Sequence, residues 1–353
     1  MKLPIDASIA LNQSTYFIAD IAANHDGSLE RALQLVKLAA DSGANAAKFQ
    51  NFRAETIVSR RGFKELGKKL THQAKWEKDV FDVYAAAALP MEWTEALIAE
   101  CKDNNIDYFT APYDLEYVDY FADKMPFFKI GSGDITWKQS IELMATFGKP
   151  ILLATGASNL EEVEDAVAII EQYKVPLILM QCNTNYTGGT ENFDYINLRV
   201  LETYRLKFPN AVLGLSDHSR GYIAVLGAVA LGARAIEKHF TDDTSRTGPD
   251  HGFSLDPTTW REMVDATRIL ERSLGDGTKR IEENEIEARI VQRRAYRYSK
   301  DIEAGSVITE SNLIPLRPCP SDGVTPFQVD MLVNRKLSKK VEHDQLARVE
   351  DFD

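Results

Sequence analysis

Two histidines follow neighbouring predicted strands in the second half of the chain. His218 lies in the segment SDHSRG and His239 in the segment EKHFTDD. Imidazole nitrogens are good ligands for Mn, Fe, Co or Zn, and a catalytic ion needs positions left free for water or substrate. We therefore expect His218 and His239 to form an open divalent metal site. The alternative, that each histidine only makes a hydrogen bond at the base of a loop, is weakened because the chain contains only six histidines.

Two lysines also end predicted strands, Lys48 in AAKFQ and Lys129 in FFKIGSG. A Gly-Ser-Gly turn at 131–133 follows Lys129, and such a turn offers backbone N–H groups, together with the Ser132 hydroxyl, to phosphate oxygens. Thr155, at the end of a later strand, would extend the same cradle. In an acidic chain these groups predict a pocket for a phosphorylated or carboxylated substrate. A salt bridge inside the protein is the other interpretation of each lysine.

Four aspartates are expected to face the same pocket: Asp20, Asp134, Asp217 and Asp250. Carboxylates in such a position orient hydroxyl groups, hold a metal-bound water or move protons. For Asp217 an equally good interpretation is a helix N-cap, because Ser219 and a helical segment follow it.

The elements that must position these groups follow a regular alternation. Short apolar runs alternate with amphipathic stretches from Tyr16 to about Leu274, which is typical of βα units around a parallel sheet. The predicted strands are Tyr16–Ala22, Ala44–Gln50, Asp107–Thr110, Phe127–Ile130, Ile151–Thr155, Leu177–Cys182, Val212–Leu215 and Ala235–Phe240. Eight strands, each followed by a helix, predict an α/β fold of the (β/α)8 TIM barrel type. Its catalytic face lies at the carboxyl ends of the strands, where the polar groups above are found.

The pattern changes after the last barrel helix. We expect a barrel domain over 1–275, a charged, Gly-containing linker over 276–292 and a small β-rich domain over 293–353. About 60 residues can bury little core of their own, so the last domain is expected to lean on another surface.

The composition excludes several classes of protein. The 353 residues carry 41 basic and 53 acidic side chains, and the net charge of −12 argues against a nucleic-acid or anionic-membrane partner. The sequence contains neither an apolar run long enough to span a bilayer nor a secretory signal pattern, so we expect a cytoplasmic protein. The three cysteines, Cys101, Cys182 and Cys319, lack CxxC spacing and are expected to be free thiols, mostly buried.

Several motifs, taken in order, resemble the sialic acid synthase family, the bacterial nonulosonic acid synthases that make N-acetylneuraminate, legionaminate or pseudaminate. The motifs are IADIAANHDG at 18–27, AAKFQ at 46–50, KIGSGD at 129–134, GLSDHS at 214–219, IEKHFT at 236–241 and GPDH at 248–251. The tail KDIEAGSVITESNLIPLRP is similar to the antifreeze-like, or SAF, domain of that family. The resemblance covers nearly the whole chain.

The resemblance implies a metal-dependent condensation of phosphoenolpyruvate with the open-chain aldehyde of an N-acyl hexosamine, such as N-acetylmannosamine or a related dideoxy sugar. Water adds, and inorganic phosphate leaves by C–O cleavage. The implied ion is Mn, with Mg, Co or Zn possible, on His218 and His239. The implied phosphoenolpyruvate ligands are Lys48, Thr110, Lys129, Ser132, Thr155, Asn183 and Thr184. The implied sugar ligands are Asp20, Gln50, Asp134, Tyr186, Asp250 and Arg317. The implied catalytic groups are Asp20, Lys48, Lys129, Asp134, His218 and His239.

The resemblance also implies a domain-swapped homodimer in which Arg317 reaches into the barrel of the second subunit. Some residues depart from the family pattern: Asp20 and Asp134 stand where glutamate is usual, Ala154 replaces a serine and Thr184 an asparagine. These departures concern the acceptor sugar more than the reaction class. The alternatives are a 3-deoxy-sugar phosphate synthase of the same barrel type, which would need a second phosphate cradle and no such tail, and a non-catalytic glycan-binding protein.

Overall fold

The barrel is built from the strands that the apolar runs predict. The computed structural model describes residues 14–68, 73–74 and 76–353. Within these residues, eight parallel strands form one sheet: β1 (Tyr16–Asp20), β2 (Ala46–Asn51), β3 (Asp107–Pro112), β4 (Phe128–Ile130), β5 (Ile151–Ala154), β6 (Leu177–Cys182), β7 (Val212–Asp217) and β8 (Ala235–His239). The strand order is β3-β2-β1-β8-β7-β6-β5-β4, and β3 lies beside β4, so that the barrel is nearly closed. The predicted α/β TIM barrel is confirmed.

Helices surround the sheet, as the buried, apolar strands require. The described barrel helices are α1 (Leu29–Asp41), α2 (Ala54–Ile57), α3 (Arg60–Glu65), α4 (Val80–Ala87), α5 (Thr94–Asp103), α6 (Leu115–Phe121), α7 (Lys138–Thr146), α8 (Leu160–Gln172), α9 (Val200–Lys207), α10 (Ile223–Ala230) and α11 (Pro257–Leu274). Side-chain caps fix the starts of the longer ones: Ser28 begins α1, Asn159 forms a capping box at α8, and Asp256 precedes Pro257 at α11. Among the described helices, none combines the length and the apolar character needed to cross a membrane.

The ends of the predicted strands differ from the observed ends by at most two residues. The first strand was predicted to reach Ala22, but β1 ends at Asp20. The backbone N–H of Ile21 donates to the carbonyl of Lys48, and Ala22 then adopts a φ of 42° at the start of a 3-10 turn over Ala22–His25. This early turn leaves the Asp20 carboxylate at the strand end rather than in the middle of a strand.

A second compact unit begins at Asp276. It contains α12 (Ile286–Gln292), within the segment predicted as a linker, and an antiparallel pair, β9 (Ala295–Tyr298) and β10 (Leu313–Leu316). The unit has a hydrophobic cluster of its own, formed by Tyr298, Ile302, Ile308, Leu313, Val324, Leu332, Leu337, Val341, Ala347 and Phe352. The small domain therefore has a larger hydrophobic core than we expected from the sequence. Apolar residues spread singly through turns, as here, give no periodic signal from which a core can be counted.

Candidate active site

A cavity of about 310 Å3 opens at the carboxyl ends of the barrel strands. Parallel strands of a closed barrel all end at this face, so side chains far apart in the sequence meet here. Ten of the predicted site residues line the cavity: Asp20, Lys48, Gln50, Lys129, Ser132, Asp134, Tyr186, His218, His239 and Asp250.

The floor of the cavity holds two buried lysines between two carboxylates. Lys48 and Lys129 are each 2% exposed. The Lys48 Nζ lies 2.6 Å from Asp20 Oδ2 and 3.4 Å from Glu237 Oε1, and the Lys129 Nζ lies 3.6 Å from the same Glu237 oxygen. Glu237 was not among the predicted site residues, although it stands two positions before His239 on β8. Because side chains alternate along a strand, that spacing places both on the same side of the sheet.

The two lysines differ in charge balance. Burial acts to lower the pKa of Lys48, but the Coulomb attraction of Asp20 and Glu237 outweighs it and raises the pKa above its ordinary value. Burial lowers the pKa of Lys129; Glu237 opposes this shift, while the positive charge of Lys48 adds to it. Lys129 is therefore the lysine whose charge an incoming anion would stabilise most.

The two predicted metal ligands lie side by side. The ring centroids of His218 and His239 are 5.3 Å apart. The Nδ1 atom of His218 is 2.9 Å from the carbonyl of Asn183, and such a hydrogen bond fixes the ring with its other nitrogen free for a ligand. The Nδ1 atom of His239 is buried and has no hydrogen-bond partner within the described residues. Burial, followed by the charges of His218 and Lys48, sets the pKa of His239 well below its usual range, which keeps the ring neutral.

These features fit a divalent ion held by two imidazoles. A metal ligand must be unprotonated, and a buried nitrogen without a partner is costly unless something binds it. Within residues 14–68, 73–74 and 76–353, no group of three or more His, Cys, Asp or Glu side chains is arranged to hold an ion. The protein would thus provide His218 and His239 and leave the other coordination positions open.

The Gly-Ser-Gly turn forms a tight wall beside Lys129. A Cβ atom on Gly131 would lie 2.6 Å from the Tyr113 hydroxyl, so only glycine fits there. The backbone N–H of Gly156 donates to Ser132 Oγ over 2.9 Å, which anchors the turn to the end of β5. The Ser132 hydroxyl accepts this bond and can donate its own proton, either to the neighbouring Cys182 thiol or to an anion.

Two further predicted carboxylates, Asp134 and Asp250, stand on the cavity wall. Burial raises the pKa of Asp134 to about 6. Burial also raises the pKa of Asp250 to about 6, although the backbone N–H of Ala23 donates to its Oδ2 over 3.2 Å and opposes the shift. Both groups can change protonation near neutral pH.

The expectation that Asp217 faces the pocket was wrong. Its carboxylate pairs with Lys238 at 2.6 Å and accepts hydrogen bonds from the backbone and hydroxyl of Ser219. Asp217 is absent from the cavity lining and ties β7 to β8 instead. Side chains alternate along β8, so Glu237 and His239 point into the barrel and Lys238 points out of it. Asp217 pairs with Lys238 and therefore lies on the outer side as well.

Two threonines of the predicted phosphate cradle are bonded to the protein and do not line the cavity. The Thr110 hydroxyl donates to Asn51 Oδ1 over 2.7 Å. The Thr155 hydroxyl donates to the carbonyl of Met180 over 3.0 Å and accepts a bond from the Tyr204 hydroxyl over 2.9 Å. These oxygens satisfy buried polar groups of neighbouring strands, a role that motif spacing does not reveal.

Two other predicted residues of the barrel, Asn183 and Thr184, also lie outside the cavity. The Asn183 side chain donates to the carbonyl of Tyr195 over 3.1 Å. The Thr184 methyl group lies only 2.5 Å from where a Cβ of Gly156 would stand, so Thr184 closes the loop after β6 against that glycine. Arg317 belongs to the second unit.

One cavity residue carries chemistry that the sequence did not indicate. Cys182 was expected to be an ordinary buried thiol, but its Sγ lines the cavity 3.9 Å from His218 Nδ1. Burial acts to lower the pKa of His218, but Cys182, the Asn183 carbonyl and Asp217 together outweigh it and raise the pKa above its ordinary value. The thiol therefore acts on the charge of a predicted metal ligand, and only its position at the end of β6 hinted at this.

Removing the charge of Asp134 is expected to stabilise the barrel at alkaline pH. Its folded-state pKa of about 6 lies above that of an unfolded aspartate, so ionisation favours unfolding. The penalty is present above pH 6 and vanishes below about pH 4, where both states are protonated. We expect Asp134→Asn to raise the free energy of unfolding by about 1 to 2 kcal/mol at pH 8 and by about half as much at pH 5.

Urea unfolding followed by tryptophan fluorescence measures this effect in the barrel alone, because all four tryptophans precede Gly275. Asp119→Asn is the matched control, since Asp119 is exposed on α6. An equal stabilisation by both variants, or a gain that does not grow with pH, would contradict the interpretation of Asp134.

The fold and the site together define a TIM barrel with a cavity lined by lysine, histidine and carboxylate side chains at the carboxyl ends of its strands. The profile of the NeuB family matches residues 35–279, and the chain belongs to that family. The predicted membership of the sialic acid synthase family is confirmed.

Several of the similar proteins are named as synthases of legionaminic, pseudaminic or N-acetylneuraminic acid. The chain is 33% identical to the N,N'-diacetyllegionaminic acid synthase of Campylobacter jejuni, over 95% of this chain and 99% of that protein. It is 33% identical to a pseudaminic acid synthase of Campylobacter jejuni, over 97% of each chain. The crystal structure of N-acetylneuraminic acid (sialic acid) synthetase from Leptospira borgpetersenii, in complex with citrate, has 29% identity and a TM-score of 0.68 over 78% of this chain and 90% of that one.

Proposed function

We propose that this chain is a nonulosonic acid synthase that joins phosphoenolpyruvate to the open-chain aldehyde of an N-acyl hexosamine. The observation that carries the proposal is the meeting, in one cavity, of the buried ammonium groups of Lys48 and Lys129 with the imidazoles of His218 and His239. Relatives named as legionaminic and pseudaminic acid synthases support the same class of reaction.

Phosphoenolpyruvate is proposed to bind at the cavity floor. Lys48 and Lys129 supply positive charge, and Ser132 supplies a hydroxyl donor beside them. Glu237 lies within 3.6 Å of both ammonium groups and balances part of their positive charge. An incoming phosphate or carboxylate would balance the rest. Because these donors are buried and already in place, their interaction with the anion costs little reorganisation.

The reaction balances as an addition followed by an elimination. A bond forms between C3 of phosphoenolpyruvate and the aldehyde carbon, whose oxygen takes up a proton. Water adds its oxygen to C2 and gives up one proton; the C2–O bond to phosphate then breaks, phosphate leaves with the electron pair, and the new C2 hydroxyl gives its proton to the phosphate as the keto group forms. Asp20 Oδ1 and Glu237 Oε2 are buried without hydrogen-bond partners in the described part of the chain, and we assign to them the acceptance and return of these protons.

A divalent ion is proposed at His218 and His239, Mn²⁺ in the first place, with Mg²⁺, Co²⁺ or Zn²⁺ as the other candidates. When bound there, such an ion supplies Lewis-acid polarisation of a substrate oxygen. The imidazoles hold it, and Tyr186, whose ring centroid is 4.2 Å from that of His218, limits the space beside it.

The acceptor sugar is proposed to lie above the floor, against the polar side chains of the cavity wall. Gln50 Nε2 donates to Asp20 Oδ2 over 3.1 Å, which leaves its carbonyl oxygen free to accept from a sugar hydroxyl. Asp134 and Asp250 line the cavity and accept from hydroxyl groups when they are ionised.

Phosphoenolpyruvate labelled with ¹⁸O in the C2–O–P bridge tests the proposal. With Mn²⁺ and an N-acyl hexosamine, we expect a nonulosonic acid and phosphate that carries the label, because the C2–O bond breaks. Label retained in the keto acid would contradict C–O cleavage. Turnover only with a sugar phosphate such as arabinose 5-phosphate would instead assign the chain to the 3-deoxy-sugar phosphate synthases, and no turnover with any acceptor would overturn the proposal.

The second unit is proposed to be an antifreeze-like domain whose Arg317 serves the barrel of the other subunit in a swapped homodimer. The motif resemblance supports this, and mixing two inactive variants tests it. A subunit carrying Arg317→Ala keeps its histidines, and a subunit carrying His239→Ala keeps its arginine. We expect activity to return when the two variants exchange subunits, since one complete site then forms per hybrid dimer. Hybrid dimers without activity would show that Arg317 acts within its own chain or not at all.

A further inference from the structure

The proposed reaction leaves one phenol of the cavity without a task. Tyr113 is half-buried, lines the cavity and comes directly after the last residue of β3. Its backbone N–H donates to the carbonyl of Asn51 over 2.9 Å, which continues the pairing of β2 with β3. Within the described part of the chain, the Tyr113 hydroxyl has no hydrogen-bond partner. Polar groups inside proteins are normally paired, so this hydroxyl is available to a ligand.

The Tyr113 hydroxyl occupies the place where a side chain of residue 131 would stand. A Cβ atom on Gly131 would lie 2.6 Å from the hydroxyl oxygen and 3.1 Å from the ring carbon Cε1. The backbone of Gly131 has a φ of −69° and a ψ of 151°, an extended conformation that any residue adopts. The tyrosine, and not the backbone, therefore requires glycine at this position.

This place is on the same side of the chain as the Lys129 ammonium group. Side chains alternate along an extended chain, and the extended Gly131 continues that alternation one residue past the end of β4. Residue 131 thus points to the same side as Lys129, two positions earlier, and Lys129 lines the cavity. The end of β3 thereby provides a hydroxyl at a point where the chain after β4 has only a glycine. Lys129 and Ser132, on either side of that glycine in the sequence, belong to the proposed phosphoenolpyruvate site.

Packing and charge keep this hydroxyl in place as a donor. The ring of Tyr113 contacts that of Phe52 edge-on, with centroids 6.3 Å apart and planes at 72°. Burial, followed by the negative charges of Asp134 and two further cavity carboxylates, raises the pKa of Tyr113 well above its ordinary value. The phenol therefore stays protonated and has one hydrogen bond to donate.

We propose that Tyr113 is a further ligand of phosphoenolpyruvate, and that its hydroxyl donates to an anionic oxygen of this substrate beside the Gly-Ser-Gly turn. This inference rests on the proposed function. An anion that enters next to Lys129 brings acceptor oxygens to the side of the chain on which the hydroxyl stands. A hydrogen bond to a charged group contributes more than one between neutral groups. A donor that is fixed before the substrate arrives also costs little reorganisation.

Tyr113→Phe removes this single oxygen atom and leaves the ring. Isothermal titration with phosphoenolpyruvate, without any acceptor sugar, is the measurement. We expect the Kd for phosphoenolpyruvate to rise about 10- to 30-fold. In steady-state assays the KM for phosphoenolpyruvate should rise by a similar factor, while the KM for the N-acyl hexosamine stays unchanged. Tyr120→Phe is the matched control, since Tyr120 is 41% exposed on α6, and it should change none of these values.

Gly131→Ala tests the same contact from the other side. Its methyl group would displace the Tyr113 hydroxyl, so we expect it to weaken phosphoenolpyruvate binding about as much as Tyr113→Phe does. Once the hydroxyl is gone, the methyl group meets only ring carbons, at 3.1 and 3.2 Å in the present structure. Adding Gly131→Ala to Tyr113→Phe should therefore weaken binding by less than about threefold more. Effects that multiply in the double variant would contradict the proposal, because the glycine and the hydroxyl would then act separately.

The outcomes separate this inference from the proposed function. Equal phosphoenolpyruvate affinity in the wild type and in Tyr113→Phe overturns the inference and leaves the synthase activity as proposed. A rise confined to the KM for the acceptor also overturns it, because the hydroxyl would then serve the sugar. An equal loss of affinity in Tyr120→Phe does the same, since the effect would not belong to the cavity. A wild-type protein that does not bind phosphoenolpyruvate overturns the proposed function and the inference together.

Discussion

Replacing His239 with alanine is expected to abolish Mn²⁺ binding and to reduce kcat by on the order of 10²- to 10³-fold or more. His239 has a buried Nδ1 atom without a hydrogen-bond partner among the described residues and a pKa well below the usual histidine range. A neutral imidazole in that state is ready to bind a cation. Its Nε2 atom also lies 3.5 Å from Asp20 Oδ2 and its Nδ1 atom 3.9 Å from Asp250 Oδ2, so the alanine variant removes a ligand together with these two contacts.

Isothermal titration with Mn²⁺ gives a readout that does not depend on turnover, and activity is measured beside it. His343→Ala is the matched control, because His343 is exposed in the second unit and is expected to change neither quantity. Removing the ion with a chelator should reduce the wild-type rate to the level of the variant, and restoring Mn²⁺ should recover only the wild type. Unchanged Mn²⁺ affinity in His239→Ala would remove the two-histidine site.

The barrel and the polar residues at the ends of its strands are predictable from the sequence because both depend on periodicity. A run of buried residues ends where the strand ends, and in a parallel barrel all those ends meet at one face. Lys48, Lys129, His218 and His239 needed no more than that rule, and the cavity contains all four.

The errors come from side chains whose role depends on an unseen partner. Thr155 carries the right group at the right strand end, but the carbonyl of Met180 and the hydroxyl of Tyr204 engage its oxygen. Asp217 is drawn out of the site by Lys238. These partners lie on other elements, and the residue spacing within one motif does not predict a hydrogen bond to another element.

The apolar part of the cavity lining could not be predicted for a different reason. It comes from the stretch between β2 and β3, which gives only weak periodicity because α2, α3 and α4 are short. Two of its aromatic residues, Phe52 and Tyr84, are in ring contact and both line the cavity. The lining thus includes residues from the part of the barrel with the weakest sequence signal.

Replacing Glu237 with glutamine is expected to destabilise the barrel by about 3 to 5 kcal/mol when no anion is bound, because it removes a charge from a buried cluster. Glu237 Oε1 lies 3.4 Å from the Nζ of Lys48 and 3.6 Å from the Nζ of Lys129, and it accepts a hydrogen bond from Ser216 over 3.2 Å. Without the Glu237 carboxylate, Asp20 alone balances two ammonium groups. The charged form of Lys129 is then destabilised most, because burial already lowers the pKa of this lysine.

Inorganic phosphate or phosphoenolpyruvate should restore much of that stability, since an anion at the cavity floor takes the place of the missing carboxylate. Thermal unfolding with and without phosphate is the measurement, and we expect a larger rise of Tm in Glu237→Gln than in the wild type. Asp217→Asn is the matched control: it breaks another buried ion pair, with Lys238 at 2.6 Å, on a strand next to that of Glu237 but outside the cavity. Phosphate should raise the Tm of that variant no more than it raises the Tm of the wild type. An equal rescue of both variants would mean that the anion acts on the whole surface, and the two lysines would then lose their assignment as the phosphoenolpyruvate site.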